Sequence, residues 1–407
     1  MVMVNPSKKH LSNLFPAFNY RNYQIYFGAQ IISLIGTWMQ QVSQGYLVYQ
    51  LTQSAFLVGL VAAFSNLPTT FFALIGGTLV DRFPRRNLLR ITTFLQFIVA
   101  SIVGILILSG HINLINLTIG VFLLGLINAV DQPARVSNVA FLVKSEHIHA
   151  AQATNMATFN SARIIGPAIA GWLIYAAGVG WAFFLNGLSF IAPFIAYNFI
   201  DFGKHIPRPH ISTWHSIKEG VNYTTHHPLI RTLLLYMTVI SIFGWSYTTM
   251  LPVMADKIFH QNAQGLGILF SAAGAGSVLG ALAASAYTRH LNPSKLMLFG
   301  GLTFAISLFI FSLTSNFYVA LVMLFIGGFG MISQNSTIQA SIQKSVDDHV
   351  RGRVASIQTL AFIGMTPIGS LQIGFMAEHF GPQAAIRIGS IVIFFAAILL
   401  YLFRKTE

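Results

Sequence analysis

Eight stretches of the sequence lack Asp, Glu, Lys and Arg altogether: 22–80, 91–130, 164–200, 232–255, 258–288, 296–343, 354–377 and 388–403. A helix needs about 20 apolar residues to cross the hydrocarbon core of a bilayer. The longer stretches hold most or all of two such crossings, and the shorter ones hold one. Only helices and closed barrels satisfy their backbone in lipid, and stretches this continuously apolar are helical. With 8% charged and 55% hydrophobic residues, the chain cannot cover its surface with charge. Its solvent is lipid.

The pattern predicts an all-α membrane protein with twelve spans. They run over roughly 23–47, 56–80, 88–108, 117–139, 152–175 and 181–200, then 231–252, 264–286, 296–313, 317–341, 354–376 and 384–403. An even number places both termini on one side. With that side cytoplasmic, all of the 23 Lys and Arg except Lys257, Arg387 and Arg163 fall on cytoplasmic segments or span ends. This bias sets the orientation, and it accounts for the net charge of +13 without any nucleic acid. The first 20 residues have no apolar core of the signal-peptide kind. The absence of Cys rules out disulfides and thiolate metal sites. The 13 His show no metal-ligand spacing, and no GxxxxGK[ST] loop is present. Neither an enzyme, a metal site, a cofactor nor ATP as energy source is therefore expected.

Residues 201–227 are the longest polar interval, with Pro207 and Pro209 ahead of a stretch, 211–223, that reads as an amphipathic surface helix. The interval divides the chain into a six-span bundle (1–200), a cytoplasmic linker (201–227) and a second six-span bundle (228–407). The halves match weakly. Gly59 pairs with Gly267 at an offset of 208, while Gly166, Gly171 and Gly178 pair with Gly369, Gly374 and Gly381 at an offset of 203. Two such halves can rock about a central site, as alternating access requires. No ring of repeated filter residues suggests a channel.

The turn GGTLVDRFPRR (76–86) gathers charge between the first two long runs. Together with FNYRNYQIYFGAQIISLIGTWMQQVSQGYLVYQLTQSAFLVG, GLINAVDQPARVSNVAFLV and NMATFNSARIIGPAIAGWLI, it resembles the major facilitator superfamily. Within it, the chain resembles the bacterial branch of siderophore and drug exporters, over nearly its whole length. The resemblance implies twelve helices in two pseudo-symmetric bundles, in the bacterial inner membrane. It implies an exporter, with membrane lipids around a monomer, and does not name the substrate; the few acids point to the proton as the antiported ion, with Na+ left open. A lipid or lysolipid flippase of the same fold is the alternative. In the turn, Gly77, Asp81, Arg82, Arg85 and Arg86 match the superfamily's loop pattern, which implies a gating cluster. Pro84 stands where a Gly is usual. Gly76 and Gly77 are small residues suited to close helix packing. The bland role for the same bases is the positive-inside bias itself.

Arg163 lies near the middle of span five, with no other charge from 147 to 162 or from 164 to 200. An arginine at that depth faces a partner or a watery cavity. Asp131 in span four is the first candidate partner, with the amides of Asn128, Asn155 and Asn160 as others. Asp131 can instead pair with Arg135, one helical turn on, and serve only packing. Arg163 itself has three roles open: a structural pin, an anion site, or one half of a proton-coupling pair with Asp131. Gly166, Pro167 and Gly171 in ARIIGPAIAG allow close contact and bend the span. This stretch resembles, in weakened form, the antiporter signature of exporting members. The remaining expected cavity residues are Gln30, Trp38, Gln40, Gln41 and Gln44 of span one and Asn66 of span two. In the second half they are Tyr236, Trp245, Tyr247, Gln334, Asn335 and Gln358, with Trp38 and Trp245 equally open to a role as interface anchors. Amides, aromatic rings and one arginine suit an amphiphilic, anionic solute, and a lipid headgroup almost as well.

Overall fold

In the computed structural model, residues 15–203, 213–287, 292–347 and 350–405 are described, apart from some side chains. The first half forms α1 (Arg21–Thr52), α2 (Ala55–Arg82), α3 (Arg85–Leu108), α4 (Leu114–Asn138), α5 (Ile148–Ala177) and α6 (Val179–Phe199). A helix over Thr213–His226 belongs to the linker. The second half forms α7 (Pro228–Lys257), α8 (Ala263–Tyr287), α9 (Pro293–Leu313), α10 (Phe317–Ser345), α11 (Arg351–Phe380) and α12 (Pro382–Lys405). Ten of the described helices are long and apolar enough to span a membrane by composition. The other two, α1 and α5, are equally long, but the glutamines of α1 and the polar opening turns and Arg163 of α5 dilute their apolar character. The expected all-helical two-bundle membrane fold is what forms.

Helix starts follow side-chain chemistry. Ser54, Asn113 and Asn316 each accept from a backbone N–H in the first turn of α2, α4 and α10, at 3.2, 2.8 and 2.9 Å. Such caps satisfy donors that lipid cannot. The turns between α5 and α6 and between α11 and α12 use Gly178 (φ +94°) and Gly381 (φ +86°). Both angles lie in a region that disfavours side chains. These are the residues paired at an offset of 203, so the two halves make the same turn at the same place.

The start of α1, the end of α6 and the described helix of the linker lie on one face of the bundle, here the linker face. Near the opposite, far face the two halves cross at two glycine contacts. On Gly171 of α5 a Cβ would fall 2.7 Å from the Ala263 carbonyl and 3.2 Å from the Gly267 Cα of α8. On Gly374 of α11 a Cβ would fall 3.0 Å from the Gly59 Cα of α2. The contacts α5–α8 and α2–α11 are built from two glycine pairs that the sequence offsets already relate. Backbones this close replace the hydrophobic drive that lipid removes.

Two helices depart from the regular spans expected. α7 contains a π-helical stretch, Ile240–Trp245, and α11 breaks between Phe362 and Thr366. The linker helix rests on the second half. Glu219 pairs with Arg353, Gly220 lies against the same arginine, and the Tyr223 hydroxyl donates to Asp347 at 3.3 Å.

Candidate transport site

Arg163 is about midway along α5 and only 7% exposed. Its guanidinium lies 4.7 Å from the Trp245 ring centre and 5.7 Å from that of Trp38. One indole comes from each half. Gly166 lets α1 in: a Cβ there would fall 2.6 Å from the Trp38 Cβ. Trp38 also packs edge-on against Phe159 at 5.6 Å. Trp245 closes the π-helical stretch of α7 and packs edge-on against Phe362 at 5.9 Å. The turn that carries the arginine is fixed from behind. Ser271 of α8 donates to the Ile164 carbonyl at 2.8 Å, and Gly274 leaves room for the Arg163 carbonyl. Pro167 is buried in the same stretch. Arg163, Trp38 and Trp245 therefore form a cation between two ring faces, at the level where the halves meet.

Asp131 is not at that centre in this state. It is 1% exposed, and Arg135 on the same helix holds it, Nε to Oδ2, at 2.7 Å. Thr92 donates to the other oxygen at 2.7 Å and Gln96 to Oδ2 at 3.5 Å. Arg135 in turn donates to Gln30 at 3.3 Å, and Gln30 donates to Tyr197 at 2.8 Å. Spacing one turn apart on α4 favours the pair with Arg135 over any reach to α5. The expected contact between Asp131 and Arg163 is thus replaced by a network inside the first bundle.

The expected cavity amides divide. Gln30 and Asn128 join the Asp131 network: Gln30 accepts from Arg135, and Asn128 accepts from Gln96 at 2.8 Å. Gln40 accepts from Asn186 at 2.6 Å and ties α1 to α6. Asn66 and Asn160 bond carbonyls of their own helices. Tyr236 donates to Gln334 at 2.7 Å inside the second bundle, which leaves the Gln334 Nε2 and Asn335 Oδ1 atoms buried without a partner. Gln358 is buried, Gln44 half-buried and Gln41 exposed. Tyr247 is buried close enough to Arg163 to feel its charge, and its ring packs against Phe304.

In the charged turn, the Arg85 guanidinium sits 3.7 Å over the Phe141 ring, and Arg86 donates to the Ile200 carbonyl at 2.7 Å. Both brace the first bundle from within. Arg82 is exposed. The side chains of Gly76, Gly77 and Asp81 lie outside the described residues.

The sequence reading missed Glu378. At the far-face end of α11, its carboxylate accepts from the Phe56 N–H at 3.0 Å and from the Ser54 hydroxyl at 3.1 Å. It caps the N-terminus of α2 across the two halves. Beside it, Lys257 approaches the Tyr49 ring at 5.9 Å, again joining α7 to α1. The signal was available: Glu378 ends the charge-free run 354–377, on a side where acids and bases are both scarce.

The family profile described as transmembrane secretion effector matches residues 12–407. A staphyloferrin A transporter of Staphylococcus aureus is 26% identical over 364 residues, covering 88% of this chain and 89% of the relative. The enterobactin exporter EntS of Shigella flexneri is 23% identical over 392 residues, covering 93% and 91%. Among solved structures, a bacterial homolog of the human lysosomal transporter Spinster, inward-facing and unoccupied, superposes with a TM-score of 0.77. It shares 13% identity, with 95% of this chain and 96% of that one covered, a likeness of fold.

Proposed function

Because the chain belongs to the transmembrane secretion effector family of the major facilitator superfamily, we propose that it is a secondary active exporter of a small amphiphilic or aromatic anion, working by alternating access as a proton antiporter. One observation carries the reading. The halves are joined near the far face by the two symmetry-related glycine crossings, and an arginine without a charge partner lies at mid-depth between an indole of each half. With the linker face in the cytoplasm, this is a transporter shut to the outside with its cation at the central level. Rocking about that level would open the far face and expose the same arginine outward. The names of the two relatives, one a siderophore transporter and one a siderophore exporter, fit a solute of this kind. Asp131 is the carboxylate we assign to proton movement. It is buried, and protonation would loosen Arg135 and the α1–α3–α4 contacts around it. Arg163 does not titrate, so it takes the solute and not the proton.

The test is uptake into inside-out membrane vesicles energised by a proton gradient. The panel is a catecholate siderophore, a carboxylate siderophore, a cationic dye and a fluorescent lysolipid. Protonophore-sensitive accumulation of a soluble solute is the expected outcome. Movement of the lysolipid alone makes the protein a flippase, and uptake indifferent to the protonophore removes the antiport.

A further inference from the structure

The proposal above leaves open what chemistry the central arginine selects. The guanidinium offers five N–H donors in a planar fork. Among the described residues it has no ion pair and no hydrogen bond, only the two indole faces and the nearby Tyr247. Two cation–π contacts return only part of what the charge loses on leaving water. Holding a bare charge at the centre of a bilayer protein costs more than such contacts return. The donors are thus the unsatisfied part of the site, and the rings are not their partner.

Resting on the exporter reading and deepening it, we propose that Arg163, Trp38 and Trp245 form a subsite for a carboxylate attached to a flat, unsaturated body. A carboxylate matches the fork with two parallel N–H···O bonds. The match in charge is one to one. Arg163 is the only Lys or Arg between residues 145 and 203, and no second cation lies over the two indoles among the described residues. A phosphate dianion would be left half neutralised there, whereas a single carboxylate is balanced. The flat body follows from the walls. The Trp38 ring is held in place by Phe159 and the Trp245 ring by Phe362, so two fixed aromatic faces flank the charge. Such faces favour planar groups that stack on them.

The placement gives the subsite a second property. Trp38 belongs to the first half and Trp245 to the second, so a ligand bound to Arg163 and both rings bridges the bundles. Trp245 is also the last residue of the π-helical stretch, an irregularity that recurs at functional sites. The wider turn ends on the residue whose ring lies closest to the arginine.

The experiment is calorimetric titration of the purified full-length protein in nanodiscs with 2-naphthoate and with its uncharged isostere 2-naphthamide. In the native protein the carboxylate will bind about tenfold more tightly than the amide or better, the scale expected of a charged hydrogen-bonded pair. Arg163→Gln will bind the two alike, and Arg163→Lys will recover only part of the preference. Trp245→Leu will weaken both probes together. Equal binding of the two probes by the native protein overturns the proposal, as does no binding of either at millimolar concentration. These two outcomes need no variant, so a misfolded Arg163→Gln leaves the proposal open to refutation. A preference that survives in folded Arg163→Gln overturns it too. Displacement of naphthoate by short-chain phosphatidic acid at lower concentration than by naphthoate itself would give the site to a lipid headgroup. Vesicle flux of the two siderophores separates this proposal from the exporter reading. Proton-driven flux without carboxylate preference sinks only the subsite, and carboxylate binding without flux of any solute sinks only the exporter.

Discussion

Asp131 and Arg163 are both buried charges in the same half, yet their surroundings are opposite in kind. Asp131 has a cation, a hydroxyl and an amide around it, which is a satisfied network. Arg163 has two rings and, among the described residues, no hydrogen-bond acceptor. The sequence reading located both residues, and it located Trp38 and Trp245, because charges and indoles in apolar runs stand out. It did not show which way they face. Arg135 was legible as the alternative partner of Asp131 from its spacing of four, whereas the hydrogen bonds that tie Gln30 and Asn128 into the Asp131 network were not legible. A single sequence gives the helix but not its rotation, and rotation decides between bundle interior and cavity. The Asp131 network makes a prediction of its own. Asp131→Asn leaves Arg135 without its charge partner, a change of about 3–5 kcal/mol for a fully buried pair and at the low end here because Arg135 is partly exposed. The purified variant should melt at lower temperature, and the double variant Asp131→Asn with Arg135→Gln should lose less than the sum of the single changes. A strictly additive double variant would remove the coupling. In vesicles, Asp131→Asn should lose gradient-driven flux and retain solute exchange.

At the scale of helices, the far-face closure rests on two kinds of contact. The glycine crossings set how near α5 comes to α8 and α2 to α11, and Glu378 adds a cap across the second crossing. The glycines were legible as spaced pairs in the sequence, since the closeness they permit requires the absence of a side chain at both positions. The cap was not, because Ser54 and Glu378 are 324 residues apart and nothing local joins them. The π-helical stretch of α7 was equally hidden, as no proline or charge marks Ile240–Trp245. Glu378→Gln keeps the shape but weakens an acceptor for the first turn of α2. Losing a cap costs about 1 kcal/mol, so the far-face-closed population should fall roughly fivefold relative to the open one. Accessibility of a cysteine placed at Gln53, read as its alkylation rate, should rise accordingly. An unchanged rate would leave the cap without a part in closure.

Over the whole molecule, the division into two six-helix halves was legible from the charge-free runs, and the distribution of Lys and Arg supports our proposal that the linker face is cytoplasmic. The native chain has no Cys, so single cysteines report without background. In intact cells a membrane-impermeant thiol reagent should reach a cysteine at His111 and not one at Pro84; the reverse pattern would invert the protein. Alternating access about the level of Arg163 is the central claim, and two distances test it together. Spin labels at Ser109 and Ser315 span the far face between the halves, and labels at Ser145 and Gln343 span the linker face. In lipid the far-face distance should be short and the linker-face distance long. Gly171→Leu, which places a side chain where the Ala263 carbonyl now lies, should lengthen the first and shorten the second. Distances that lengthen together, or a linker face that stays as it was while the far face opens, would contradict the account.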